Sequence, residues 1–224
     1  MNKQHVIEKI QKLLALSQSS NEHEAALALA QAELLLERHR LEMTEIEMMG
    51  GERESIVQDE EAIFDTLEPL SGWESRLANG IAMIHGSVVI RIGESTLKVI
   101  GRESDILFIK YFINYITIEL FRISAGSCSG KGKKYKDSWF LGAVDTIIYR
   151  LKEAKEEVQS NTTNKFAVVK LNNRYEEACD YMKELYKDII YEKPKKPSRV
   201  DAYSEGAQAG HKIQLTRNKS IAKK

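Results

Sequence analysis

The sequence predicts an α+β protein with an N-terminal helical hairpin and a helix-dominated domain that contains a small antiparallel β-sheet. Three observations support this fold class. Residues 103–122 are apolar on nearly every face, which is typical of a helix buried inside a fold. Two β-rich runs, 87–92 and 95–100, are separated only by a Gly-Glu pair, the signal of a β-hairpin. Before residue 49, two successive segments carry apolar residues at helical spacing.

The hairpin is predicted from local signals. Its first helix carries apolar residues at helical spacing between Val6 and Leu14 and ends before a Ser/Gln-rich turn. Asn21 and Glu24 form a candidate N-cap and capping-box pair for the second helix, and a third short segment is expected after Thr44. A hairpin of this size buries little apolar surface alone, so we expect it to dock on the rest of the chain or on a partner.

The remaining chain is predicted to form one larger domain. Residues 50–61 are acidic and poor in apolar side chains, which indicates a linker between a hairpin domain (1–49) and an α+β domain (62–192), followed by a basic extension (193–224). We call the predicted helix over 103–122 the central helix. Gly142, which lacks a side chain, is expected to let its own helix approach the central helix closely. The predicted elements are a strand over 63–70, a helix from Ser71 to Gly86, the β-hairpin, the central helix with Glu103 and Asp105 at its start, a helix capped by Asp137 or Ser138, a strand over 166–171, and a helix that begins at Asn172 or Asn173.

Charge is distributed unevenly along the chain. The 224 residues include 33 basic and 33 acidic side chains. Residues 1–60 carry 6 Lys/Arg against 12 Asp/Glu, whereas residues 127–199 carry 16 against 11 and residues 200–224 carry 5 against 2. Because summed charge steers partners even when the total cancels, this asymmetry predicts an anion-facing C-terminal part. Chance segregation of charge on solvated helix faces explains it equally well.

Composition also indicates the compartment. Cys128 and Cys179 are too few for a disulfide framework and lack the spacing of a zinc site, so we expect a reducing, cytoplasmic setting and neither metal nor cofactor. Lysines near Cys128 are expected to lower its pKa. The longest apolar run, 106–123, contains three charged side chains and is predicted to be core rather than membrane. Charges scattered through the first ten residues argue against a signal peptide.

The N-terminal segment resembles a known family in the order of its residues. The runs that carry the resemblance are IQKLLAL (10–16), SNEHEAA (20–26) and AQAELL (30–35). Over roughly residues 3–48 they are similar to the family called domain of unknown function 2786. The later region, with Trp73, Gly101-Arg102 and Trp139, is similar to the domain that often accompanies it. The resemblance implies a bacterial or phage protein with a role around nucleic acid or host defence, and it brings no known activity.

The principal candidate site is the segment 126–136, GSCSGKGKKYK, directly after the central helix. Its four lysines and three glycines predict a flexible cationic loop before a helix N-terminus, where the dipole favours anions. It is not a P-loop, because Gly126 and Gly130 are separated by three residues rather than four and a helix precedes it. Tyr135 and Trp139 are candidates for base stacking. A solvated loop that binds nothing is the alternative.

These observations predict a non-enzymatic protein that binds DNA or RNA of any sequence through phosphate contacts. The alternative is a phage-encoded inhibitor that binds a host defence protein through the acidic hairpin. No nucleophile–base arrangement supports an enzyme, and the sequence leaves the oligomeric state open. The predicted nucleic-acid-binding residues are Lys131, Lys133, Lys134, Tyr135, Lys136, Lys195, Lys196, Arg199 and Arg217.

Overall fold

The computed structural model describes residues 3–16, 21–51, 53–160, 165–213 and 215. Within these residues the chain forms eight helices and one four-stranded antiparallel sheet, so the predicted α+β class is confirmed. The helices are α1 (Lys3–Leu16), α2 (Glu22–Met48), α3 (Gly72–Ile84), α4 (Glu103–Ser127), α5 (Lys133–Ser160), α6 (Lys165–Asn172), α7 (Arg174–Leu185) and α8 (Val200–Lys212). The strands are β1 (Ile56–Gln58), β2 (Phe64–Asp65), β3 (Val88–Ile92) and β4 (Thr96–Arg102).

Strand β4 is the centre of the sheet. Its predicted hairpin with β3 is confirmed, and the connecting turn contains Gly93 at φ +64°, a left-handed conformation that glycine adopts without steric cost. On its other edge β4 pairs with β1, where Ile56 lies opposite Arg102, and with β2, where Phe64 lies opposite Leu97. The longest strand therefore organises three short partners.

Three sequence expectations about strands change. Residues 50–61 were expected to form a linker but contain strand β1. This strand forms because its backbone pairs with β4, which is remote in sequence. The strand expected over 63–70 is limited to β2. Residues 166–171 are helical within α6 rather than a strand, since a short apolar run has no period that separates the two states. The division into separate domains stays a prediction.

Helix α4 lies in the apolar core, as the sequence predicts for residues 103–122. Phe108 and Phe112 on this helix are fully buried. Ile10 of α1 and Leu36 of α2 belong to the same core cluster, so the helical hairpin docks on the rest of the chain. The third short segment expected after Thr44 is part of the last turn of α2.

Helices α5 and α8 approach each other closely through glycines. A Cβ atom on Gly142 would collide with the carbonyl oxygen of Tyr203, and one on Gly206 would collide with that of Trp139. The close contact expected for Gly142 is therefore with α8 and not with the central helix. The small residues of α8 place its backbone directly against α5.

Candidate nucleic-acid interface

Helices α3, α5 and α8 run in the same direction, so their N-termini lie at the same end of the protein. Residues near the start of α5 contact residues near the start of each neighbouring helix, and residues further along α5 contact residues further along each neighbour. The contacts are Trp73 with Phe140 and Ile84 with Lys155 between α3 and α5, and Arg199 with Ser138 and Ile213 with Arg150 between the α8 region and α5. We name the surface formed there by residues 131–136 and 193–199 the lysine end.

The basic segment is shorter and more regular than the predicted loop. Helix α4 continues further than expected and α5 begins at Lys133, so only residues 128–132 connect them. The Gly132 carbonyl accepts the first backbone hydrogen bonds of α5, at 3.1 Å. The helix thus starts before Asp137 and Ser138, the expected caps. Three of the four loop lysines lie on the first turn of a helix instead of in a flexible loop.

The lysines of this segment face solvent. Lys131, Lys133, Lys134 and Lys136 are exposed. Among the residues that the structure describes, none of their ammonium groups forms an ion pair with a carboxylate. The Nζ atom of Lys131 lies 5.0 Å from the centre of the Tyr135 ring, within range of a cation–π interaction. Four positive charges at the start of α5 therefore have no ion-pair partner among the described carboxylates.

The two aromatic residues expected to stack on bases are buried. Trp139 is fully buried and Tyr135 is 8% exposed. The Tyr135 hydroxyl donates a hydrogen bond to Glu205 at 2.5 Å, and this bond raises the pKa of Tyr135 to about 12. The Tyr135 hydroxyl thus reaches α8, and the Trp139 ring lies in the apolar core next to Phe140. The faces of both rings are therefore not available to a base.

The connector 193–199 runs along the same end of the protein. The aliphatic stem of Lys195 lies against Gly72, the first residue of α3. Two backbone N–H groups near the end of the connector donate hydrogen bonds to Ser138 Oγ at 3.1 Å. The structure thus brings Lys195 and Lys196, both exposed, to the same surface as the lysines of α5.

Two of the predicted binding residues differ from these lysines. Arg199 is exposed but donates two hydrogen bonds to the carboxylate of Asp201, at 2.9 Å and 2.5 Å. Its guanidinium group is therefore already paired with a carboxylate at the start of α8. Arg217 lies outside the described residues. The lysines, rather than these arginines, supply the uncompensated charge at this end.

The pKa of Cys128 is raised rather than lowered as expected from its neighbouring lysines. The side chain is buried, and burial raises the pKa of its thiol above the usual value, although Lys136 and Lys131 act in the opposite direction. The thiol is therefore mostly protonated near neutral pH and is a poor nucleophile.

A groove of about 340 Å³ opens at the lysine end. The rings of Trp73 and Phe140 stack at 4.6 Å and form part of its lining. Phe121 of α4 is 53% exposed, and its ring centre lies 5.9 Å from that of Trp73 and 5.5 Å from that of Phe140. The other lining residues are Ser71, Glu74, Lys133, Lys136 and Asp137.

Sequence reasoning missed Phe121 because the helix that carries it is apolar on most faces. The only local signal was its position between the charged residues Glu119 and Arg122, which form an ion pair at the surface of α4. Its exposure depends on which neighbours pack on the helix, and that is decided by the fold.

A second cluster of charged side chains is buried between α2, α4 and α7. Asp105 accepts a hydrogen bond from Arg40 Nε at 2.6 Å and lies 3.5 Å from Arg174. Arg40 also donates to the backbone carbonyl of His85. Asp105 lies in the first turn of α4, as expected, and its carboxylate is in addition the partner of buried arginines. All four side chains belong to residues at most 4% exposed, so a substrate has no access to the cluster and its role is structural.

The described residues contain no group of three His, Cys, Asp or Glu side chains that could hold a metal ion. None of the helices in this part of the chain is both long enough and apolar enough to cross a membrane.

Comparison with known proteins supports the N-terminal resemblance. The model of the family described as "Protein of unknown function (DUF2786)" matches residues 5–43. The described part of this match forms α1 and most of α2. The similarity of the later region to a companion domain stays a prediction. Searches of curated proteins and of solved structures gave no match.

Proposed function

We propose that this protein binds nucleic acid, without catalysing a reaction, through phosphate contacts at the lysine end. The observation that carries the proposal is the first turn of α5, where Lys133, Lys134 and Lys136 stand with no acidic residue. Helix N-termini favour negative side chains, so cations there oppose the helix dipole. A bound phosphate would relieve both this opposition and the repulsion among the lysines.

The surroundings of these lysines also favour a polymeric anion. The connector adds Lys195 and Lys196 to the same end, so that two separate segments of the chain supply lysines to this surface. The carboxylates of Asp201 and Glu205 are already engaged by Arg199 and Tyr135. A nucleic-acid backbone presents phosphates in a row, and such contacts position the polymer without reading its sequence.

Salt dependence tests this proposal directly. Affinity for labelled DNA and RNA is measured by fluorescence anisotropy over a series of salt concentrations, in the parent and in a Lys131→Ala, Lys133→Ala, Lys134→Ala, Lys136→Ala variant. A plot of the logarithm of affinity against the logarithm of salt concentration has a slope of about −0.9 for each duplex phosphate that the protein neutralises, or ~−0.7 for each phosphate of a single strand. We expect the variant to bind more weakly and with a shallower slope.

A matched control changes the same charge elsewhere. Lys9, Lys12, Lys152 and Lys187 are exposed and lie outside the lysine end, so their replacement by alanine should leave affinity close to that of the parent. No binding by the parent at low salt, or equal weakening in both quadruple variants, would contradict the proposal.

We also propose, as the second candidate, that a host protein such as a defence protein docks on α2. Leu27 and Leu34 are 46% and 47% exposed and lie seven residues apart, on the same face of this helix. Such spacing is typical of a helix that inserts apolar side chains into a groove. In pull-downs from bacterial lysate, a Leu27→Asp, Leu34→Asp variant should lose a protein that the lysine variant retains. Identical captured proteins from both variants would rule this candidate out.

A further inference from the structure

We propose that the groove beside Phe121 receives an unstacked base, so that the protein binds single-stranded nucleic acid in preference to duplex. This inference rests on the nucleic-acid binding proposed above and adds the class of ligand. The groove lies at the lysine end, since Lys133 and Lys136 line it together with Phe121.

Phe121 has the exposure and the support that a stacking residue requires. It is 53% exposed, although it belongs to a helix whose other phenylalanines, Phe108 and Phe112, are fully buried. Its ring meets both Trp73 and Phe140 at steep angles, 82° and 62°. These buried rings hold Phe121 in place, so a base would not have to order a mobile side chain.

The rim of the groove suits a nucleotide rather than a purely apolar ligand. Lys133 and Lys136 are three residues apart on α5 and therefore lie on one face of the helix, where they can meet the phosphates on either side of a base. The carboxylates of Glu74 and Asp137 also line the groove and can accept hydrogen bonds from base N–H groups. The volume of about 340 Å³ lies near the lower limit of ~300–1,000 Å³ for small-molecule sites.

The exposed ring of Phe121 indicates whether the groove binds single-stranded or duplex nucleic acid. In a duplex the base faces are covered by neighbouring base pairs, so Phe121 would have nothing to stack on unless a base left the helix. In a single strand the faces are accessible, and proteins that bind such strands combine aromatic platforms with a positive groove. Beside Phe121 an exposed aromatic ring adjoins Lys133 and Lys136, and the other lysines of the lysine end lie next to the groove.

Substitution of Phe121 tests the inference in the full chain. Affinity is measured for a single-stranded oligonucleotide and for a duplex of the same length, at one salt concentration. Loss of one stacked base should weaken single-strand binding of Phe121→Ala by about 5- to 150-fold and leave duplex binding unchanged. Phe121→Leu, which keeps apolar packing without an aromatic face, should weaken single-strand binding in the same direction.

Ile118 provides the matched control. It is also 53% exposed on α4 but does not line the groove, so Ile118→Ala should bind both forms as the parent does. Thermal unfolding of each variant, followed by circular dichroism, separates loss of folding from loss of binding, and the leucine variant decides the outcome if the alanine variant is unfolded.

The possible outcomes distinguish the two proposals. If the parent binds nucleic acid and the Phe121 variants bind single strands as Ile118→Ala does, the groove inference is wrong while phosphate binding stands. Equal weakening on duplex and single strand also overturns the groove inference. If the parent binds neither form at low salt, the proposed function itself fails.

Discussion

The Nε atom of Arg40 donates a hydrogen bond to Oδ1 of Asp105 at 2.6 Å, and Asp105 is completely buried. Arg40 belongs to α2 and Asp105 to the first turn of α4, so this pair joins the N-terminal hairpin to the central helix. Arg174 of α7 lies 3.5 Å from the second carboxylate oxygen. One buried carboxylate thus holds two guanidinium groups from elements far apart in sequence.

Replacement of Asp105 by asparagine should destabilise the protein strongly. Among the described residues, the change leaves Arg174 buried without a paired carboxylate and Arg40 with Glu37 alone, at 3.1 Å. Breaking a buried ion pair costs about 3–5 kcal/mol. The free energy of unfolding from urea titration measures the effect. The control is Asp180→Asn, whose partner Lys183 is exposed and whose loss should cost ~0.2–1 kcal/mol. Similar losses in both variants would contradict a structural role for the buried cluster.

The stability of the protein should fall as the pH is lowered below neutrality. His85 is buried, and burial together with the positive charges of Arg40 and Lys155 holds the pKa of its ring well below the usual value. The unfolded chain, with a pKa of about 6.5 for this ring, then binds a proton that the folded chain excludes. The contribution of His85 to the free energy of unfolding is therefore fully present above about pH 6.5. It is lost as the pH falls towards the pKa of the folded state, by at most ~1.4 kcal/mol per pH unit.

Urea unfolding at several values between about pH 7 and pH 5 measures this dependence. His85→Gln cannot titrate and should show a shallower decrease in stability than the parent. His211→Gln is the control, because His211 is exposed and its loss should leave the decrease unchanged. The interpretation is wrong if His85→Gln and the parent lose stability in parallel.

The packing of α5 against α8 should not tolerate a methyl group at Gly206. The added Cβ would collide with the carbonyl oxygen of Trp139, which belongs to the backbone and has no easy means of moving aside. We expect Gly206→Ala to destabilise the protein by about 1–3 kcal/mol, as overpacking does in protein cores. Thermal and urea unfolding both report this change.

Gly126→Ala is the matched substitution in open space. A Cβ at position 126 would meet no atom within 4 Å, and the residue lies in helix α4. Here alanine should stabilise the protein by about 0.4–1 kcal/mol, because it restricts the unfolded chain. Opposite signs at the two glycines are therefore expected, and equal signs would contradict the close approach of α5 and α8.

Removal of residues 1–49 should leave a poorly folded remainder. The hairpin contributes Ile10 and Leu36 to the core cluster, and Glu47 of α2 forms an ion pair with buried Arg102 at 2.7 Å. Without these residues, apolar surface is exposed and Arg102 loses one of its two described carboxylate partners, keeping only Glu177. Circular dichroism melting should show a lowered or broadened transition and increased binding of a hydrophobic dye. An unchanged melting curve would instead support an independent second domain.

Local residue patterns were sufficient for the parts of this protein that depend on near neighbours. The helix over 72–84, the β3–β4 hairpin and the central helix follow from caps, turn residues and apolar periodicity. The resemblance of the first segment follows from the order of its residues and is confirmed over 5–43. The positions of the basic residues were also evident, because charge can be counted along the chain.

The tertiary structure decided which of these residues face each other and which face water. Pairing of β1 with β4 and burial of Asp105 between two arginines join residues that are distant in sequence, and no local pattern encodes such contacts. Burial of Tyr135 and exposure of Phe121 depend on whether a neighbouring helix covers each ring. Sequence alone therefore placed lysines in one segment, whereas the parallel packing of α3, α5 and α8 brought them together with the connector and an exposed aromatic ring.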